Sequence, residues 1–147
     1  VTAPPPLSRE RRSELLAAAA PEALITLAEA CLDGAAPAVV VNPAETGTVA
    51  LQVREPVEGL RFVLAEVLVS RAEVAWDGHR GWAMRPGDDR VAALAAAVLD
   101  AEVERGGPRA GQVLELCRAV AARQGEERER EWAELMPTIV SFEELDR

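Results

Sequence analysis

The sequence predicts an α+β fold, and three observations carry that prediction. Apolar residues recur at helical spacing in two blocks near the N-terminus and two near the C-terminus. Between these blocks the period drops to two. The strand-like runs are joined by turn signals and not by helices, so the βαβ alternation of a parallel sheet is missing. The expected order is an N-terminal helical pair, a roughly four-stranded antiparallel meander, two C-terminal helices and a short extended tail. A chain of 147 residues suits one domain, 1–147, with residues 1–7 as a flexible lead-in.

Each element has a local reason. Pro4-Pro5-Pro6 keeps the lead-in extended, and Ser8 stands where an N-cap belongs, ahead of Leu15 and Leu16. Pro21 suits the start of a second helix, Glu22–Leu32, whose stripe of Leu24, Leu27, Ala28 and Cys31 is ended by Asp33-Gly34. Val39-Val40-Val41 reads as a short strand that Asn42-Pro43 turns into a loop, Ala44-Glu45-Thr46-Gly47. Val49, Leu51 and Val53 then alternate with Ala50, Gln52 and Arg54 as a half-buried strand. Pro56 and Gly59 mark a tight turn.

From Phe62 to Trp76 the even positions form one apolar face with two polar members, Glu66 and Ser70. The run exceeds an ordinary strand, so a break or bulge is expected near Ala65-Glu66. Asp77-Gly78 signals a hairpin, and His79–Arg85 returns with Trp82 and Met84 on one face. Asp88 or Asp89 caps a third helix, with Val91, Leu94, Ala95, Val98 and Leu99 as its stripe, and Gly106-Gly107-Pro108 stops it. A fourth helix carries Val113, Leu116, Cys117 and Val120. It continues through the charge run Glu126–Glu131 to Trp132, Leu135 and Met136, and Pro137 ends it. Thr138–Phe142 reads as a strand-like tail.

Composition excludes several functions. Twenty-five carboxylates stand against sixteen cations, all of them Arg, for a net charge of −9. Such a balance opposes nucleic acid as a partner. The absence of Lys removes Schiff-base and P-loop chemistry. Cys31 and Cys117 each lie in an apolar helical pattern and read as buried thiols. With His79 as the one histidine, a metal centre lacks its set of ligands, and a Cys- or Ser-based nucleophile system would have to run through that single imidazole. No run nears the roughly 18 apolar residues of a membrane span, so a soluble, cytoplasmic protein without membrane contact is expected.

The charge is unevenly spread. Residues 1–47 hold three Arg and six acids, residues 48–90 six and seven, and residues 91–147 seven and twelve. The strand region is therefore nearly neutral, and any phosphate contact would fall to Arg54, Arg61, Arg71, Arg80 or Arg85. Glu66 and Ser70 interrupt an apolar face, and a bulge would bring Arg71 to their side. They form either a polar site on the sheet or an ion pair that sets register or docks a partner. Glu45-Thr46-Gly47 reads as turn chemistry or as part of the same surface. No catalytic residue, metal or cofactor is assigned, and the residues alone favour a binding or assembly role.

The middle of the chain resembles the PhnG family, the G subunits of the bacterial carbon–phosphorus lyase core complex. The family's Pro-Glu-Thr-Gly loop stands here as Pro43-Ala44-Glu45-Thr46-Gly47. Its Phe-Asn-Leu-Gly-Glu stretch, followed after three residues by Thr-Arg, corresponds to Phe62-Val63-Leu64-Ala65-Glu66 and Ser70-Arg71. A hairpin with Asp77-Gly78 and Gly81, an Ala-rich helix ending Leu99-Asp100-Ala101, and the Arg-rich start Arg11–Ala20 also look similar. The chain departs from the pattern at Val63, Ala65, Ser70 and Ala72. It also lacks the family's His and Glu at the junction of last strand and helix, where it reads Pro86-Gly87-Asp88-Asp89. The family's C-terminal Thr-Arg-Val-Asp-Phe-Phe segment corresponds only to Thr138–Glu143.

The resemblance implies a part in a synthase that exchanges the adenine of ATP for an alkylphosphonate. The displacement at the ribose belongs to the larger I subunit, with H, J and K as further partners and the iron–sulfur chemistry in J. It implies that this chain supports the I subunit without catalysing a step, with Glu45, Thr46, Gly47, Glu66, Ser70 and Arg71 as its partner-facing or polar site. Homodimer contacts are compatible with it. Two other readings stay open: a free-standing small-molecule binder using Glu66, Arg71 and His79, and a self-associating adaptor using the terminal helices.

Overall fold

Ser8 caps the first helix, its hydroxyl accepting the Arg11 N–H at 3.2 Å, and α1 spans Arg9–Ala18. Pro21 opens α2, Pro21–Leu32, where its missing N–H costs nothing. Leu15, Leu16, Leu24, Ala28 and Cys31 turn inward and bury the pair against the rest of the molecule. The computed structural model describes residues 7–139. The expected lead-in before Leu7 and the tail beyond Ile139 lie outside the described residues.

Among the described residues three antiparallel strands follow in the order β1-β2-β3: β1 Val39–Arg54, β2 Arg61–Trp76 and β3 His79–Pro86. Four were expected. The short strand Val39–Val41, the anticipated loop Ala44–Gly47 and the strand Val49–Val53 are one continuous strand. The pairing steps from Val40↔Val74 to Asn42↔Glu73 and then to Glu45↔Arg71, so β1 absorbs one extra residue at Val41 and another at Pro43-Ala44. These are bulges, and at an edge strand they accommodate Pro43, which has no N–H to donate.

β2 holds the expected irregularity one residue early. Leu51↔Ala65 is followed by Gln52↔Val63, leaving Leu64 as the extra residue. A slip of one residue exchanges faces. Phe62 therefore pairs with Val53 on the opposite face from Ser70, against the expectation of a single apolar face from 62 to 76.

Only the C-terminal half of that face is core. Ser70, Ala72, Val74 and Trp76, with Gly81, Ala83 and Arg85 of β3, pack against α3, Arg90–Glu104. Asp89 caps α3 through its carboxylate and the Ala92 N–H at 2.9 Å. Ala92, Ala93, Ala95–Leu99 and Ala101 are all buried, because α3 is enclosed by the sheet, α2 and α4, Ala110–Leu135. Val91, expected on the stripe, is exposed. In α4 only Val113, Cys117 and Val120 are buried. Its second half, with the charge run, Trp132 and Leu135, is exposed, as is Met136 at its end. A 3-10 turn, Met136–Thr138, holds Pro137, so Thr138 is not in a strand.

A buried ionic group ties α1, β3 and α3 together. Asp100, fully buried, accepts from Arg12 Nε at 2.9 Å, Arg12 Nη2 at 2.7 Å, Arg9 Nη2 at 2.7 Å and the Trp82 N–H at 3.1 Å. Arg12, 4% exposed, also pairs with Glu104. At the C-terminal end of α1 the buried Arg85 donates to the carbonyls of Leu16 and Ala19. It thereby meets the negative end of the α1 dipole, which offsets the cost of burying a cation.

Candidate functional site

β3 pairs with β2 only between Val69 and Trp76, so beyond that point β1 and β2 run on as two strands alone. This arm, Thr48–Arg54 with Arg61–Leu68, leaves the core: among its members only Val53 and Val67 are partly covered. The residues Val49, Leu51 and Val53, expected half-buried, are here. Alternation places Val49, Leu51, Val53, Phe62, Ala65 and Val67 on one face of the arm. That face is continuous with Val69, Trp82 and Met84 beside α1, giving an apolar strip along the sheet side that α3 does not cover.

The arm tip is held by its own hydrogen bonds. The Glu55 carboxylate accepts the N–H groups of Val57 at 2.7 Å, Glu58 at 2.7 Å and Leu60 at 2.9 Å, and Arg54 Nη1 donates to the Gly59 carbonyl at 3.0 Å. These backbone donors, Leu60 foremost, hold the Glu55 carboxyl below its ordinary 4.5. These bonds fix the conformation of the tip within the chain itself. There Val57 is 88% exposed and Leu60 61%.

The six residues singled out from sequence divide into three groups. Glu45 and Arg71 meet: the pair lies directly across β1 and β2, with Arg71 Nε donating to Glu45 Oε1 at 2.7 Å. Both are more than half exposed, so the pair is worth about 0–1 kcal/mol. With Gly47, Val49, Val69 and Met84 they line a shallow hollow on the uncovered side.

Thr46 and Ser70 lie on the other side, 3.1 Å apart. Ser70 is fully buried, donates to the Gly87 carbonyl at 2.8 Å and accepts the Asp89 N–H at 3.0 Å, while Thr46 donates to Asp88. These bonds pin the β3–α3 turn and so set where α3 starts. Gly87 itself has a φ of 94°, a conformation glycine adopts without strain.

Glu66 is exposed on the arm opposite Ala50, without an ion-pair partner among the described residues. The bulge falls before Glu66 and not between it and Arg71, so the two stay on opposite faces. The expected Glu66–Arg71 neighbourhood does not form. His79 opens β3 opposite Trp76, the last residue of β2, roughly 33 Å of strand from Glu66 at ~3.3 Å per residue. Glu66, Arg71 and His79 therefore share no pocket.

Of the five Arg considered for phosphate, Arg71 and Arg80 are paired with Glu45 and Glu73, and Arg85 is buried. Among the described residues no group of three or more His, Cys, Asp or Glu side chains is placed to hold a metal ion. Among them, too, no single helix is long and apolar enough to cross a membrane. Cys31 and Cys117 are free and buried, and burial pushes each thiol up to about 11.

Sequence reasoning missed the buried Asp100, whose partners lie far away in the chain. Its signal was a carboxylate inside an Ala-rich run, which needs a cation once buried. It also missed that the arm is uncovered.

A search of curated proteins returns no match to this chain. The family profile described as phosphonate metabolism protein PhnG matches residues 7–147, nearly the whole length. With the Glu45-Thr46-Gly47 strand, the Phe62–Arg71 stretch and the Ala-rich α3 in their expected order, the chain belongs to the PhnG family of the phosphonate carbon–phosphorus lyase complex.

Proposed function

We propose that this chain is an accessory, non-catalytic subunit of the phosphonate carbon–phosphorus lyase system in the cytoplasm. It supports the larger I subunit as that subunit makes α-D-ribose 1-methylphosphonate 5-triphosphate from ATP and an alkylphosphonate. H, J and K are the other members of the assembly. The observation that carries this reading is the arm: an ordered, largely apolar surface outside the core. Burial of its Val49, Leu51, Phe62, Leu64 and Leu68 is unfinished business for an isolated chain, since exposed apolar strips of this kind mark protein contacts.

The chemistry of the rest agrees. A lone catalyst acting on a triphosphate needs converging cations, and here the arginines near the strands are paired, buried or scattered. Glu45, Gly47 and Arg71 fall on the partner-facing side, whereas Ser70 and Thr46 hold the scaffold that carries it. Glu66 is free to meet a cation of the partner.

The test is to shorten the arm. Residues 50–65 are replaced by a two-residue turn, and the variant is co-expressed with tagged I and H subunits. The reading expects the shortened chain to melt as the parent does and to be lost from the purified complex. Unchanged recovery with the shortened arm contradicts it.

A further inference from the structure

The edge of β1 is as unusual as its faces. The sheet order β1-β2-β3 leaves one side of β1 without a neighbouring strand among the described residues. Edge strands of independent proteins carry charges, prolines or bulges that discourage pairing with another chain. β1 has those devices only at its start, where Val41 and Pro43-Ala44 bulge. From Thr46 to Val53 the sequence is Thr-Gly-Thr-Val-Ala-Leu-Gln-Val: eight residues with no charge and no proline, and no irregularity on the β1 side of the ladder. Charged residues stand at both ends, Glu45 before it and Arg54 after it.

The arm also has too few strands. A two-stranded hairpin is marginal in water, and three strands with an apolar face are the smallest arrangement that stands by itself. A strand added along β1 would supply the third. It would extend the apolar strip of Val49, Leu51 and Phe62, and it would satisfy the outward N–H and C=O groups of Thr46–Val53, which an antiparallel strand presents at alternate residues.

We infer that Thr46–Val53 is a β-addition site that accepts an uncharged, β-branched or apolar strand of about eight residues from a different chain of the same assembly. This rests on the accessory-subunit reading and goes beyond it by naming the edge and the chemistry of the occupant. A second copy of this chain is the poorer occupant, because pairing two chains of net charge −9 along one edge adds long-range repulsion that a near-neutral or basic partner avoids. The preformed tip, fixed by Glu55 and Arg54, lowers the ordering cost of docking.

Backbone amide exchange, quenched and read residue by residue, tests it on the free chain and on the complex purified after co-expression with the H and I subunits. In the free chain the alternate amides of Thr46–Val53 that face away from β2 exchange fast. In the complex they slow by about tenfold or more, as expected for new ladder bonds. An intact complex in which those amides exchange as in the free chain overturns the inference while leaving the accessory role standing. Protection already present in the free monomer, or appearing only in a dimer of this chain, also overturns it by naming another occupant. If no complex forms, the accessory reading itself fails and the inference with it.

Discussion

Asp100→Asn should destabilise the fold by breaking the charge balance that joins α1, β3 and α3. The substitution keeps the size of the side chain and one carbonyl oxygen, so packing is preserved and the charge is removed. Arg12 is then a buried guanidinium whose remaining carboxylate is Glu104, itself 30% exposed at the side chain. Removing one member of a buried pair costs about 3–5 kcal/mol, and the surviving Glu104 contact argues for the lower end, ~3 kcal/mol. For a chain of this size each kcal/mol lowers the melting temperature by about 2–4 °C. The expected drop is therefore about 6–12 °C in a thermal scan, with a matching fall in the urea midpoint and an unchanged slope. Arg12→Met measured alone and together with Asp100→Asn completes a cycle. The double variant should lose less than the two single losses combined, by about 0.5–3 kcal/mol. A single Asp100→Asn loss under about 0.5 kcal/mol, or strict additivity, would refute the role given to the group.

Four further outcomes are expected. Gly81→Ala should cost about 1–3 kcal/mol or more by urea unfolding, since a Cβ there would run into the Ala97 carbonyl and sit 2.6 Å from the Ala101 nitrogen. Gly47→Ala, with nothing within 4 Å, should be close to neutral. At pH 8 the native protein should resist thiol reagents, because thiols at about 11 carry roughly a hundredfold less thiolate than at the ordinary 9.0; prompt labelling of Cys31 or Cys117 without denaturant would contradict their burial. Glu55 should titrate below 4.5 by NMR. Its contribution to the arm tip is then present above the unfolded value and lost as pH falls through the lower folded value, and a titration at or above 4.5 would remove the tip clamp.

Local signals were legible where local chemistry decides. Ser8, Pro21 and Asp89 stand where the helices begin, and Asp77-Gly78 turns the β2–β3 hairpin, each as its residue type dictates. Asn42-Pro43 misled because a proline inside a strand normally argues against it. At a bulged edge it is tolerated, and only the pairing partners on β2 reveal that. Phe62 lies on the face opposite to the one its even position predicts, because one bulged residue, Leu64, inverts every side chain beyond it.

The exposure of the arm was not legible for a different reason. Alternation in Val49–Val53 shows that one face is apolar, but what covers it lies in another layer, and here that layer is absent among the described residues. The Arg12–Asp100 contact joins residues 88 positions apart, which no window of sequence can see. Within the candidate site, the Glu45–Arg71 pair was not legible, because Glu45 reads as part of a loop and only the ladder places it across from Arg71. The separation of Glu66 from Arg71 depended on the position of a single bulge.

If this chain acts through assembly, purifying the H, I, J and K subunits with and without it, while following adenine release from ATP with methylphosphonate, should show it. The chain should co-elute with them in size-exclusion chromatography, and adenine release should be lost when it is omitted. An assembly that forms and turns over equally well without it would mean that the chain has no such role.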